Sequence, residues 1–191
     1  MANTDTGDTD TDNASQRLAE LHHYFREHPV TGPEGHSYTR PGTGHAASTA
    51  PGLPYNQRVC DHIRASVTEV VQHTRTAAPD AGLPQHIEDV YDWAREHTEN
   101  APADVQLNRD ITEYRHRLEH AVHAGDFSVV RPHRCPACRT LGLHWQPERQ
   151  RAVCLNLHCA RSNKGHSRSW TLGRLALEHV TAEKSLRECA T

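Results

Sequence analysis

The chain has 191 residues, 35% of them hydrophobic and 5% aromatic, too few apolar groups for one large core and better suited to small or partly disordered pieces. No run approaches the roughly 20 apolar residues of a membrane-spanning helix. The opening MANTDTGDTDTDNAS has neither the basic nor the apolar part of a secretory signal, so a cytoplasmic protein with no membrane association is expected. The net charge of -3 divides unevenly: residues 131–191 hold 11 Lys and Arg against 4 Asp and Glu, a balance of +7, and residues 1–130 balance at -10. Of the 21 basic residues only Lys164 and Lys184 are lysines, and the 17 histidines read as composition rather than as a pH sensor.

Residues 1–14 predict a disordered acidic tail. Asp8, Asp10 and Asp12 have the spacing of calcium ligands, but Asn13 stands where an EF-hand loop needs Gly and Ala19 where it needs Glu. Residues 15–53 predict a short helix over 15–28, with Leu18, Leu21 and Phe25 on one face and Pro29 as its stop, and then a Gly/Pro-rich linker. Tyr38 and Arg40 in that linker are possible partner contacts.

Residues 54–126 predict a small bundle of three helices. The first carries Val59, Ile63, Val67, Val70 and Val71 at spacings of three and four, with Cys60 as a small buried hydrophobe. The second follows Leu83-Pro84 and carries Ile87, Val90, Tyr91 and Ala94. The third has the clearest stripe, Leu107, Ile111, Tyr114, Leu118, Ala121 and Val122, and Gly125 supplies its C-terminal stop. It also places His116, His120 and His123 on one face, a spacing that can present metal ligands. That face lies opposite the apolar stripe, beside Arg109, Glu113 and Glu119, so a solvated polar face is expected.

Residues 127–175 hold four cysteines as C-x2-C-x15-C-x4-C: Cys135, Cys138, Cys154 and Cys159. Zinc needs four ligands at tetrahedral corners, about 2.3 Å from each sulfur, and two tight loops giving two thiolates each meet that need. Pro136 pre-sets one backbone angle of the first loop. Leu141, Leu143 and Trp145 alternate with Gly142 and His144 as in a half-buried strand, Gln146-Pro147-Glu148 is a turn, and Arg151-Ala152-Val153 returns. A third strand is expected over 167–172, with Trp170 inward. A closing helix over 173–188 leads from the end of the 127–175 segment into the C-terminal segment 176–191, where Cys189 is free. His158 is the alternative fourth ligand, as C-x3-H. A redox dithiol at Cys135/Cys138 lacks the βαβ surroundings of that chemistry. A catalytic zinc needs an open coordination position, which four cysteines close. One structural Zn²⁺ is therefore expected, contributing on the order of 10 kcal/mol to folding.

These features resemble a zinc ribbon, with two metal knuckles, a hairpin and a third strand. The longer pattern runs from Pro54 and Asn56 through a helical segment to C-P-x-C, V-C-x-N-x-x-C with Asn156, and Trp170-Thr171-Leu172. Over residues 54–175 it is similar to small, mostly uncharacterised zinc-ribbon proteins of actinobacterial and actinophage genomes. The resemblance implies an architecture, mainly α with a small β-rich C-terminal ribbon, and a genomic setting rather than an activity.

The ribbon's basic residues, Arg139, Arg149, Arg151, Arg161, Lys164, Arg168 and Arg174, face only one acid within 131–174, Glu148. They predict binding to DNA or RNA phosphates, with Trp145, Trp170 and His144 available to stack on bases. The competing expectation is that the arginines offset the negative charge of a zinc–tetrathiolate centre and the tryptophans pack the core. In that case the protein is a zinc-stapled structural or docking module whose helical bundle meets a protein partner. No enzyme is expected, because the sequence shows no nucleophile–base pair, phosphate loop or open metal site.

Overall fold

The computed structural model describes residues 13–27 and 57–189. The Asp8–Asp12 tract, Tyr38 and Arg40 of the linker, and Pro54 and Asn56 lie outside the described residues. The first helix, α1, spans Asn13–Glu27. It takes Asn13 and Ala14 out of the expected tail, because Ala14 is buried with Leu18 and Leu21 in the first of two cores. Helix α2 spans Gln57–Ala77, and a 3-10 turn at Ile87–Asp89 leads into α3, Val90–Thr98. Val59, Ile63 and Val70 of α2 meet Val90, Tyr91, Trp93 and Ala94 of α3 in the same core. Two expectations fail there. Ile87 is solvent exposed, because the 3-10 turn carries it off the α-helical stripe, and Cys60 is half-buried rather than buried.

Helix α4, Ala103–His123, organises the molecule. Gly125 ends it as expected, in the left-handed region at φ 85°. The amide of Asp126 donates to Ala121 (2.8 Å) and that of Gly125 to Val122 (3.0 Å), the paired bonds of a Schellman stop. Helices α1, α2 and α3 pack on α4, and so does the C-terminal helix.

The histidine face of α4 is therefore not solvated, contrary to the amphipathic reading. His116 and His120 are each 1% exposed. A helix with neighbours all round has no water-facing side, and here the neighbours supply polar partners, so the histidines are buried with their hydrogen bonds made. His62 Nε2 of α2 lies 2.9 Å from His120 Nδ1. His120 Nε2 lies 2.9 Å from the Tyr91 hydroxyl of α3, and that hydroxyl lies 3.0 Å from His116 Nδ1. His116 Nε2 lies 3.2 Å from a carboxylate oxygen of Glu69 on α2. With Glu69 accepting from His116, the other protons follow: Tyr91 donates to His116, His120 to Tyr91 and His62 to His120. All three imidazoles are neutral in that arrangement. His123 stacks on His62 at 4.1 Å between ring centroids.

The cysteine-bearing segment carries a small β unit. Strands β1 (Leu143–Gln146), β2 (Arg151–Cys154) and β3 (Ser169–Trp170) make an antiparallel sheet in that order. Leu143 pairs with Cys154, Gln146 with Arg151, and Ala152 with Trp170. Leu141 lies outside the strand and is exposed, because Gly142 at φ 122° breaks the extended backbone before Leu143. The third strand is shorter than 167–172, since α6 already begins at Leu172 and runs to Cys189. The Thr171 hydroxyl accepts from the Arg174 amide at 3.2 Å and caps that start. The second core joins Trp145, Leu143, Ala152 and the buried cysteines to Leu172 and Leu175 of α6 and Leu118 of α4. The sheet and its cysteines thus rest on α4 and α6. No helix among the described residues is long and apolar enough to cross a membrane.

Candidate metal centre

The first cysteine loop closes on itself. The amide of Arg139 donates to the Cys135 carbonyl at 2.8 Å, and the amide of Cys135 donates to the Thr140 carbonyl at 2.9 Å. Arg139 itself takes a left-handed backbone, φ 58°, which turns the chain back after the second thiol. The second loop is a short helix, α5 (Leu157–Arg161), that carries Cys159. Asn156 caps this helix, its side-chain oxygen accepting from the His158 amide at 2.9 Å. Its side-chain amide donates to the Thr140 hydroxyl at 3.0 Å and reaches Cys138 Sγ at 3.8 Å. One side chain therefore starts the helix that carries Cys159 and ties it to the first loop. The C-x-N-x-x-C spacing makes both bonds available.

The four sulfurs lie within 4.8 Å of one another, and Cys138 Sγ is 3.8 Å from Cys154 Sγ. Sulfurs at the corners of a tetrahedron, about 2.3 Å from its centre, stand about 3.8 Å apart, so the four thiols fit one ion. Cys135, Cys154 and Cys159 are buried and Cys138 is half-buried. Hydrogen bonds from the Thr140 hydroxyl and amide pull the Cys138 thiol down to about 6. Burial pushes Cys154 up to about 12 and raises Cys159. A cation here replaces protons, and four thiolates fill a tetrahedral shell with no position left for substrate.

His158, the alternative ligand, is exposed and is not in the cluster. Nor do His116, His120 and His123 gather round a common point: among the described residues the cysteines are the one close group of three or more ligand side chains.

The seven basic candidates separate. Arg139 and Arg174 both pair with Glu178, at 2.8 and 2.5 Å, and Arg168 is half-buried. Arg149, Arg151, Arg161 and Lys164 are exposed. They do not form one cluster. Arg149 lies in the hairpin turn and Arg151 opens β2, whereas Arg161 ends the short helix that carries Cys159 and Lys164 follows it, beyond the other end of β2. Trp145 is 2% exposed and fills the second core, so it is not available to stack on a base. Trp170 is half-buried against that core, and His144 is exposed. The sequence reading missed the roles of Thr140 and Glu178. A hydroxyl two residues after the second thiol was the visible signal for Thr140, and the i,i+4 spacing was the signal for the Arg174–Glu178 pair, whereas the Arg139–Glu178 pair could be found only once α6 was folded back on the cysteine loops.

No protein-family model, curated protein or solved structure matches the chain.

Proposed function

We propose that the protein is a non-enzymatic zinc-binding factor that engages DNA or RNA through its ribbon, in the cytoplasm of an actinobacterial or phage-related setting. The donor set supports zinc: four thiolates in a closed tetrahedral arrangement are a common structural zinc site. The observation that carries the nucleic-acid reading is the exposure of Arg149, Arg151, Arg161 and Lys164 on a segment with Glu148 as its one acid. The zinc in this reading does no chemistry. It holds the two loops so that these cations are displayed on a rigid support. A zinc-loaded electrophoretic shift with duplex DNA, single-stranded DNA and RNA over a salt series tests it. Affinity should fall steeply with salt, and Arg149→Ala and Arg161→Ala should each reduce the slope by about one. No shift at low salt refutes it.

A second reading, a zinc-stapled docking module for a protein partner, is favoured by one observation. The ribbon uses Trp145 internally yet leaves Leu141, Leu155 and Leu157 in solvent.

A further inference from the structure

We infer that the cysteine end of the ribbon is a docking surface for an acidic amphipathic segment of another protein. This inference rests on the docking-module reading and moves the contact from the helical bundle to the ribbon. Leu141, Leu155 and Leu157 are 57%, 61% and 72% exposed. They are far apart in the sequence from the first loop to the second, but the fold brings them to one end. The amide of Leu155 donates to the Gly142 carbonyl at 3.0 Å, next to Leu141. Asn156, between Leu155 and Leu157, is bonded to Thr140, the residue before Leu141. The exposed leucine surface is on the order of 300 Å², the scale of the largest apolar patches on soluble monomers, which are often functional.

The leucines are not needed to complete the core beneath them. Leu143, Trp145, Cys154 and Cys159 already fill it. Gly142 at φ 122° and the Asn156 cap turn the backbone at the points where these leucines lie. The same hydrogen bonds that shape the metal loops therefore hold the patch rigid, which lowers the entropic cost of binding to it.

The chemistry of the occupant follows from the rim. Arg161 and Lys164 are exposed beside the second loop, and Arg139 lies beside the first, its guanidinium shared with Glu178. Of the acids nearby, Glu178 is held between Arg139 and Arg174, and Glu148 sits in the hairpin turn at the far end, so Arg161 and Lys164 are the rim's available cations. An apolar centre with a cationic rim matches a segment with leucine-like side chains on one face and carboxylates beside them. A phosphate backbone would satisfy the rim and leave the leucines facing water.

Fluorescence anisotropy with three labelled probes tests this on the zinc-loaded full chain. The first is a synthetic amphipathic helix with leucines on one face and glutamates on the other, the second the same helix with lysines for glutamates, and the third a single-stranded oligonucleotide. The glutamate helix should bind saturably, one per chain, and the lysine helix at least about tenfold more weakly, since like charges meet at the rim. The Leu141→Ser/Leu157→Ser variant should weaken the glutamate helix by about tenfold or more and leave the oligonucleotide unchanged. Arg161→Glu/Lys164→Glu should weaken the same helix without touching the leucines. All four positions are exposed, and zinc content confirms that the variants keep the site. Equal affinity for the two helices, or no effect of the leucine changes, overturns the inference. So does failure of the full chain to bind, the result if another part of the chain covers the leucines. Leucine-dependent dimers in sedimentation would make a second copy the occupant and overturn it too. Loss of oligonucleotide binding alone, on changing Arg149 and Arg151, bears only on the nucleic-acid reading.

Discussion

Acidification from pH 7.5 to 5.5 should destabilise the helical part of this protein through two buried histidines. Burial holds His116 down at about 4 and His120 at about 2, and the charge of Arg115 acts further on His116. In the unfolded chain both titrate near 6.5. The folded pKa is the lower one, so the unfolded state binds more protons as pH falls. Stability is complete above about 6.5 and drains away as pH falls toward the folded values. At pH 5.5 the unfolded form of each histidine gains RT ln 11, about 1.4 kcal/mol, while the folded form stays neutral. Two histidines cost about 3 kcal/mol, a large share of a typical domain stability of about 5–15 kcal/mol. His62 and His123 are lowered too, but they are more exposed and are left out of this sum. Of the carboxyls around the cluster, Glu119 and Glu113 are raised by burial and act the other way, whereas Glu69, raised by burial but lowered further by its bond to Arg115, acts in the same direction as the histidines. The carboxyls are unchanged when only the histidines are replaced, so comparing such a variant with the parent isolates the histidines. Urea denaturation followed by far-ultraviolet circular dichroism at the two pH values measures the loss. His116→Gln/His120→Gln, whose amides do not titrate, should lose about 3 kcal/mol less than the parent over the same interval, and His120→Gln alone about half of that. The metal site contributes equally to both and cancels. If parent and double variant lose the same amount, the buried-neutral account of these histidines is wrong.

Other outcomes follow from single contacts. Tyr91→Phe removes the hydroxyl that bonds both His116 and His120, and two orphaned buried nitrogens should cost about 2 kcal/mol or more in a urea melt. Stripping the metal with a chelator, or Cys154→Ser, should abolish the binding of one zinc per chain. It should also destabilise the ribbon by an amount on the order of 10 kcal/mol, read as protease cleavage within residues 135–170 while the α1–α4 fragment persists. Trp145→Ala should cost about 3–5 kcal/mol, because the ring is 2% exposed in the second core. Arg149→Ala should change stability by less than about 0.5 kcal/mol, because it lies exposed in the hairpin turn.

The cysteine cluster was legible because its information is local. Two cysteine pairs at loop spacing, a proline in the first and Asn156 between Cys154 and Cys159 specify two short hydrogen-bonded turns that need little from the rest of the chain. The helices were legible for the same reason, since periodicity and Gly125 act within a few residues. The fate of α4's histidine face was not. A hydrophobic stripe says which side of a helix must be covered, but it does not say that the opposite side stays bare. Nor could the sequence show that Arg139 reaches Glu178, or that three leucines converge beside the thiols.

By itself, then, the sequence determined the longer helices, the hairpin, the pairing of the cysteines into two loops and the charge division, because each depends on neighbours a few residues apart. Only the tertiary structure decided how many partners each element has. It wrapped α4 in helices on one side and the cysteine-bearing sheet on the other. That converted histidines expected in solvent into an internal hydrogen-bonded chain and left Leu141, Leu155 and Leu157 exposed at the ribbon's end.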